Sequence, residues 1–252
     1  MPRRILAVFA HPDDESFASG GTLAFLASRG AEIRLVTATR GERGAGPDPG
    51  AIGRTDLAAL RERELRTACI ILGIAPPVFL GLPDGSVRDA GGDALAERIL
   101  AAAADFDPDL VVTFGPDGAY GHPDHVAIGQ GASRAFERGL GRRLLHVAYP
   151  RGLFLPQYDL MLSTPLAPVV RLVERGGIGV DLPGAGVLKL DISRFSATKG
   201  RAIAAHWSQL RSGDPHTLFP PGIVAATLQT EWFLVAGGPA VPAGASDPCD
   251  GL

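Results

Sequence analysis

The chain carries the tripeptide His-Pro-Asp twice, in His11-Pro12-Asp13-Asp14-Glu15 and again in His122-Pro123-Asp124-His125. Imidazole nitrogen and carboxylate oxygen are donors for a divalent transition metal, zinc first among them, and a catalytic zinc takes three protein ligands while leaving a position open for water. The two clusters hold more donors than that. The proline in each restrains the backbone around it, so successive side chains diverge and cannot all reach one ion. A carboxylate and an imidazole are therefore left over to move protons, which is the equipment of a metallohydrolase. The plainer account of Asp14-Glu15 is a helix start, where the dipole favours acids.

Two clusters so far apart in sequence need a scaffold that brings them together. Arg4 to Ala10 has the length and apolar composition of a buried strand and stops at the first cluster. Asp14 to Arg29 reads as a helix, with Phe17, Leu23, Phe25 and Leu26 largely on one side and Gly30 as its C-cap. Glu32 to Thr39 is a second strand, Arg40 to Gly53, with five glycines and two prolines, a mobile loop, and Thr55 to Leu72 a second helix ended by Gly73. Pro77 to Leu80, Asp93 to Ala104 and Asp109 to Phe114 continue as strand, helix and strand. Such alternation predicts a Rossmann-like α/β fold, a mostly parallel sheet with helices on both faces. The clusters follow the first and fourth strands, and ligands in open parallel sheets collect outside the carboxyl ends of strands, so the two face each other across a topological switch point.

The chain changes character after Leu144 to Tyr149. Arg151 to Gly186, rich in Pro and Gly, predicts loops and short antiparallel strands forming a pocket wall or lid. Ser193 to Leu210 is a last helix with Ser193 as N-cap, and Gln229 to Val235 returns as an edge strand. The whole reads as one domain over residues 1–236, with its core at 1–150 and pocket wall and C-terminal elements at 151–236. Residues 237–252, built of Gly, Pro, Ala, Ser and Asp, lack apolar content and are expected to be a disordered tail.

Composition narrows the partners. A chain of 252 residues with 46% hydrophobic content can bury a full core, and a formal net charge of −3 gives no basic field to draw it onto nucleic acid or an anionic membrane. A small-molecule partner follows. Two cysteines, Cys69 and Cys249, make no disulfide framework, no transmembrane segment is readable, and the first residues lead straight into a strand, so the expected setting is the cytoplasm. Acids fill the turn after the first strand, where a dinucleotide fold keeps glycines, and they would repel a pyrophosphate; nicotinamide and flavin roles are excluded. No Gly-x-Ser-x-Gly elbow is present, and Cys69 sits in an apolar helix pattern, which excludes covalent hydrolysis.

With these residues in view, the sequence resembles a known family. Ala10-His11-Pro12-Asp13-Asp14-Glu15 with Gly20-Gly21-Thr22, then Thr39-Arg40-Gly41-Glu42, Arg61-x-x-Glu64, Leu82-Pro83-Asp84-Gly85 and Gly121-His122-Pro123-Asp124-His125 look like the PIG-L/LmbE-like zinc N-deacetylases. Lys199 with His206-Trp207-Ser208-Gln209 is similar to a C-terminal element of that family. The resemblance implies a hydrolase that removes an N-acyl group, in the first instance acetyl, from an amino-sugar conjugate such as an N-acetylglucosaminyl group. It implies one zinc per chain, or another divalent transition metal in its place, on His11, Asp14 and His125. Asp13 would be the general base that takes a proton from the metal-activated water. His122, protonated, would help stabilise the oxyanion, and Asp124 would orient or charge-stabilise His122. Whether Asp13 or His122 protonates the departing amine stays open.

Tyr120 resembles the family tyrosine that swings toward the oxyanion, and Arg61 the arginine that grips sugar hydroxyls or a nearby anion; Arg43 is a further candidate for substrate. Each has a plainer reading: Tyr120 as packing, Arg61 with Glu64 as an exposed ion pair on a helix, Arg43 as a loop charge. His206 is either functional or a satisfied helix histidine. Alternatives to the sugar deacetylase are a zinc amidase for a non-sugar amide and a metal-containing binding protein without catalysis. At 6% aromatic content no long stacking platform for a polysaccharide is apparent, which favours a small conjugate. Family members are often multimeric, so a homo-oligomer is compatible with the chain, although no interface signature marks one.

Overall fold

A computed structural model describes residues 2–44, 54–182, 184 and 186–252. The described chain runs β1 (Arg4–Phe9), α1 (Asp14–Ser28), β2 (Glu32–Thr37), α2 (Arg54–Leu72), β3 (Val78–Phe79), α3 (Gly92–Ala102), β4 (Leu110–Phe114), α4 (Gly118–Gly121), α5 (Pro123–Glu137), β5 (Arg143–Val147), α6 (Leu155–Met161), α7 (Ala167–Val170), β6 (Val187–Asp191), α8 (Ser196–Ala205), α9 (Ile223–Thr227) and β7 (Thr230–Gly237). The strands form one sheet in the order β3-β2-β1-β4-β5-β7-β6. β1 to β5 are parallel, and β7 runs antiparallel to both of its neighbours. This is the expected mostly parallel α/β sheet.

The order also fixes where the clusters go. From β1 the chain moves outward to β2 and β3, whereas from β4 it moves the opposite way to β5. Right-handed crossovers in opposite directions put their helices on opposite faces. Accordingly α1, α2 and α8 pack on one another, and α3 packs on α5. β1 and β4 are neighbours at the point of reversal, and their carboxyl ends carry the two clusters. Because both strands are covered on both faces, Ile5 to Phe9 and Leu110 to Phe114 are buried without alternation. Gly30 and Gly73, at φ 83° and 74°, end α1 and α2 in the left-handed conformation that a side chain disfavours.

Several expectations change. The helix α5 directly behind the second cluster is not announced by the sequence, whose glycines at 129 and 131 weaken it. The structure shows why they are there: a Cβ at Gly129 would collide with the Phe114 carbonyl oxygen and one at Gly131 would sit 2.6 Å from the Leu95 Cβ, so close packing of α5 on β4 and α3 requires them. Among the described residues of 151–186, the short helices α6 and α7 stand where antiparallel strands were expected. The last helix is shorter than expected: Ser193–Phe195 and Trp207–Gln209 are tight 3₁₀ turns flanking α8, and the Ser193 hydroxyl caps neither. β7 is an inner strand, and β6 is the edge. Of the expected loop from Arg40 to Gly53, residues 45–53 lie outside the described residues.

The segment after β7 also differs from the disordered tail its composition predicts. Arg143, buried on β5, donates from Nε to the Pro239 carbonyl at 2.8 Å, from Nη1 to Pro248 at 2.7 Å and from Nη2 to Ala240 at 3.1 Å. Cys249 is buried beside it. A count of apolar residues misses this because the anchor is a guanidinium with five donors, held by main-chain carbonyls.

Candidate active site

Asp14 opens α1, and its Oδ2 accepts the backbone N–H groups of Ala10 at 3.0 Å and His11 at 2.8 Å. That turns Oδ1 inward, 3.2 Å from His125 Nε2. His125 stands in the first turn of α5 with its ring stacked on Phe114, centroids 4.1 Å apart, and its Nδ1 at 3.1 Å from the Gly118 carbonyl. A carbonyl only accepts, so Nδ1 carries the proton and the lone pair is on Nε2. The same logic fixes His11. Its Nε2 lies 3.3 Å from both Asp124 Oδ2 and Asp84 Oδ1, so the proton is on that side and the Nδ1 lone pair points at His125 Nε2, 3.2 Å away.

Two nitrogen lone pairs and a carboxylate oxygen thus converge. The closest approach of the Asp14 carboxylate to His11 Nδ1 is 3.6 Å. Donors around a tetrahedral zinc at about 2.0–2.1 Å stand about 3.3–3.4 Å from one another, close to the 3.2 Å that separates His125 Nε2 from both His11 Nδ1 and Asp14 Oδ1, while the 3.6 Å contact with His11 Nδ1 is made by the other oxygen, Oδ2. Without a cation the lone pairs would repel, so the donor set fits a divalent metal. Burial depresses the His11 imidazole, yet Asp124, Asp14 and Asp84 more than reverse this and raise it well above its ordinary value. Burial likewise works against the Asp14 carboxylate, but His125 and His11 hold it well below the usual range. Positive charge is what this site calls for. Donor atoms of His11, His122 and His125 also lie within 4.8 Å of one another, as do those of His11, Asp84 and Asp124. The second trio is on the far edge of the His11 ring, where Asp124 already accepts from the Gly85 and Val87 N–H groups at 2.7 and 3.1 Å and Asp84 from Arg43 N–H at 2.8 Å. Those carboxylates orient His11 from behind.

This corrects one expectation. Asp124 does not touch the His122 ring with its carboxylate; it serves His11. The contact between the two neighbours runs the other way, the Asp124 N–H donating to His122 Nδ1 at 3.3 Å as the N-cap of α5. His122 therefore keeps its proton on Nε2. Burial, with the His125 and His11 rings beside it, pushes His122 well below its ordinary value, which favours a neutral N–H donor over the expected imidazolium.

Asp13 lies on the opposite side. It is the N-cap of α1 at φ 113° and ψ −27°, a conformation that costs a non-glycine residue about 1–3 kcal/mol and persists only when its surroundings enforce it. Arg61 is one enforcer: its Nη2 donates to Asp13 Oδ2 at 3.0 Å and to the Pro12 carbonyl, and its Nη1 to the Gly41 carbonyl at 2.8 Å. A Cβ at Gly41 would collide with this guanidinium, hence the glycine. Burial raises the Asp13 carboxyl, against the opposing pull of Arg61, and it is pushed up to about 6. That suits a group that must both take and give a proton.

A cavity of about 170 Å³ is lined by His11, Asp13, Asp14, Arg43, Gly44, Arg61, Asp84, Tyr120, His122, His125 and Gln209. Of the site residues expected from sequence, only Asp124 is absent from its wall. Tyr120 is turned inward by the strained Ala119 before it, at φ 68°, and stacks on Phe154. Arg43 is an exposed cation at the rim. Arg61 is neither solvent-exposed nor paired with Glu64, and its donors are largely committed to backbone and to Asp13, which makes it a strut more than a hand for substrate. Glu64 is held instead by the Ser208 N–H and hydroxyl at 2.8 and 2.7 Å, and Gln209 follows into the pocket wall. Asp84 and Gln209 were given no role from sequence, and His206, either functional or a satisfied helix histidine on that reading, proves to be paired with the buried Glu15. Asp84 was visible within Leu82-Pro83-Asp84-Gly85, but nothing in its spacing placed it behind His11.

A sheet-edge centre of two imidazoles and a carboxylate, flanked by an acid and a neutral imidazole, defines a metal-dependent hydrolase site. Residues 6–136 match the family described as PIG-L: GlcNAc-PI de-N-acetylase, and the chain belongs to that family. A 1D-myo-inositol 2-acetamido-2-deoxy-alpha-D-glucopyranoside deacetylase of Saccharomonospora viridis is 33% identical, over 93% of this chain and 96% of the relative. Among solved structures, N,N'-diacetylchitobiose deacetylase from Pyrococcus horikoshii matches with a TM-score of 0.62 at 20% identity, over 92% of this chain and 83% of its own. GalB, the 4-carboxy-2-hydroxymuconate hydratase from Pseudomonas putida, matches with a TM-score of 0.66 at 17% identity, over 96% and 100%. The fold therefore serves more than one reaction, and the reaction must be argued from the site.

Proposed function

We propose that this chain is a metal-dependent hydrolase that removes the N-acetyl group from an amino-sugar conjugate, with 1D-myo-inositol 2-acetamido-2-deoxy-α-D-glucopyranoside as the first substrate to test. The observation that carries this reading is the convergence of His11 Nδ1, His125 Nε2 and Asp14 in one pocket, with Asp13 on one side and His122 on the other. The substrate class is supported by the deacetylase activity for which the Saccharomonospora viridis relative is named. His11, Asp14 and His125 would hold the ion, zinc by the chemistry of its donors. When bound, it supplies Lewis acidity toward water and the amide carbonyl.

Asp13 accepts a proton from the attacking water, whose oxygen bonds to the acetyl carbon. The neutral His122 donates from Nε2 to the oxyanion that develops on the carbonyl oxygen, and Tyr120 lies beside it. Protonation of the leaving nitrogen falls to Asp13. His122 Nδ1 is already engaged by a backbone N–H, so giving up its Nε2 proton would leave an anionic ring, whereas Asp13 holds the proton just taken from water. The C–N bond breaks, and a free amine and acetic acid leave, the acid giving its remaining proton to solvent as acetate. The cavity has room for the acetamido group and part of one sugar ring, with Arg43, Asp84 and Gln209 available to hydroxyls.

Among the described residues no helix is long and apolar enough to cross a membrane, and Cys69 and Cys249 are both free and buried. The test is amine release from the inositol glucosaminide and a panel of other N-acyl substrates by zinc-loaded protein. Turnover should disappear on chelation and return on adding zinc. Stoichiometric zinc without cleavage of any amide would defeat the proposal.

A further inference from the structure

Asp13 is held in its left-handed conformation from two sides. Arg61 grips its carboxylate and the preceding carbonyl. On the other side its backbone N–H donates to Glu15 Oε2 at 3.1 Å. The second oxygen of Glu15 accepts from His206 Nε2 at 2.8 Å and from the Ser16 hydroxyl. Glu15, Ser16 and His206 are all buried, at 1%, 0% and 0% exposure. We propose that His206 is a positioning residue for the base Asp13, acting through Glu15; this rests on the reading of Asp13 as base.

The His206 contacts point one way. Nε2 faces Glu15, with the Ser16 hydroxyl at 3.5 Å, while Nδ1 meets no partner among the described residues. A histidine kept in the core to satisfy both nitrogens would not be placed so. The other donors to Glu15, the Ser16 hydroxyl and the Asp13 N–H, belong to its own turn, and His206 is the one that reaches it from outside α1; a buried carboxylate that loses such a donor reorients toward another. Reorientation withdraws the acceptor from the Asp13 N–H, and of the two side chains that hold the strained φ of 113° only Arg61 is then left. The Asp13 carboxylate would swing away from the pocket while His11, Asp14 and His125, held by their own partners, stay.

A second buried pair shows the same construction away from the chemistry. Lys199 on α8 donates to Glu231 at 2.6 Å, and Glu231 accepts the α1 backbone N–H groups of Gly21 and Thr22 at 2.9 and 2.8 Å. The C-terminal region thus clamps α1 twice through an acid. Only the His206 clamp ends on a backbone N–H whose side chain lines the pocket, so it alone bears on catalysis.

The experiment compares wild type, His206→Leu and His206→Gln, with kcat, KM, metal content and a crystal structure for each. The leucine variant lacks the donor, and its kcat is expected to fall by about 10- to 100-fold, the effect of misplacing a reacting group by about 1 Å, with KM and zinc content within twofold of wild type. Glutamine, whose amide can donate to Glu15, is expected to restore most of the loss. Asp13 should leave the left-handed region with leucine and regain it with glutamine. An unchanged kcat for His206→Leu, or an unmoved Asp13 φ, overturns the proposal. If the leucine variant does not fold, His206→Phe decides: the ring keeps much of the imidazole's volume and lacks the donor, so a wild-type kcat there also overturns it. Wild-type protein that cleaves no amide would instead defeat the proposed function, while the Asp13 φ in the structures still decides this inference.

Discussion

The two His-Pro-Asp clusters start from the same three residues and end with opposite assignments, because the helix behind each begins at a different place. In the first, α1 starts at Asp14 and the third residue of the motif, Asp13, is the N-cap. In the second, α5 starts at Pro123 and the first residue, His122, is the N-cap. The N-cap is the residue whose backbone is not yet helical, so its side chain is free to face the pocket, while side chains within the first turn are aimed by the helix. On the proposed reading, each cluster would give one N-cap to proton chemistry and one first-turn residue, Asp14 or His125, to the metal. The leftover residues part most: His11 would be the third donor, whereas the Asp124 carboxylate stands behind its ring. A two-residue shift in helix start makes two half-sites complementary that would otherwise be duplicates.

The sharpest test of this division is to remove the acid that the first cluster holds back. Asp13→Asn should retain zinc and lose kcat by about 10²–10⁴-fold, whereas His11→Ala should lose the metal itself; elemental analysis beside amine release separates them, and equal metal loss from both would break the comparison. His122→Ala removes the N-cap donor of the second cluster and should lower kcat by about 10²–10³-fold with zinc retained. Asp124→Asn sets the structure against the sequence expectation. Acting behind His11, it should weaken zinc binding by about 10–100-fold, measured by competition with a chelator; a fall in kcat at unchanged zinc affinity would return Asp124 to His122. The smallest effect concerns the strained turn ahead of the second cluster. Ala119→Gly relieves a positive φ at a non-glycine residue and should stabilise the fold by about 1 kcal/mol, read as a rise in melting temperature.

Much of the scaffold was legible from local pattern. β1, β2 and β4 are buried apolar runs, and Gly30 and Gly73 mark the helix ends where they fall. α5 was not, because glycines that close packing requires look like breakers to a local reading. The edge and inner roles of β6 and β7 were reversed for a similar cause: edge position depends on which strand pairs last, not on composition. At the site, residue types and their positions after two parallel strands were enough to bring His11, Asp13, Asp14, His122 and His125 together. The plainer reading of Arg61, an exposed partner of Glu64, fails because spacing along a helix says which residues are neighbours, not whether that face is covered.

The sequence by itself determined that two acid and imidazole clusters would meet at the carboxyl edge of a parallel sheet, since strand periodicity and right-handed crossovers leave them little other place to go. It also determined the donor chemistry that suits a divalent metal. Only the tertiary structure decided which nitrogen of each histidine is free, that Asp124 stands behind His11, and that His206 reaches Glu15 from the far end of the chain. Those assignments depend on hydrogen-bond partners contributed by distant segments, and on burial that makes each partner costly to lose.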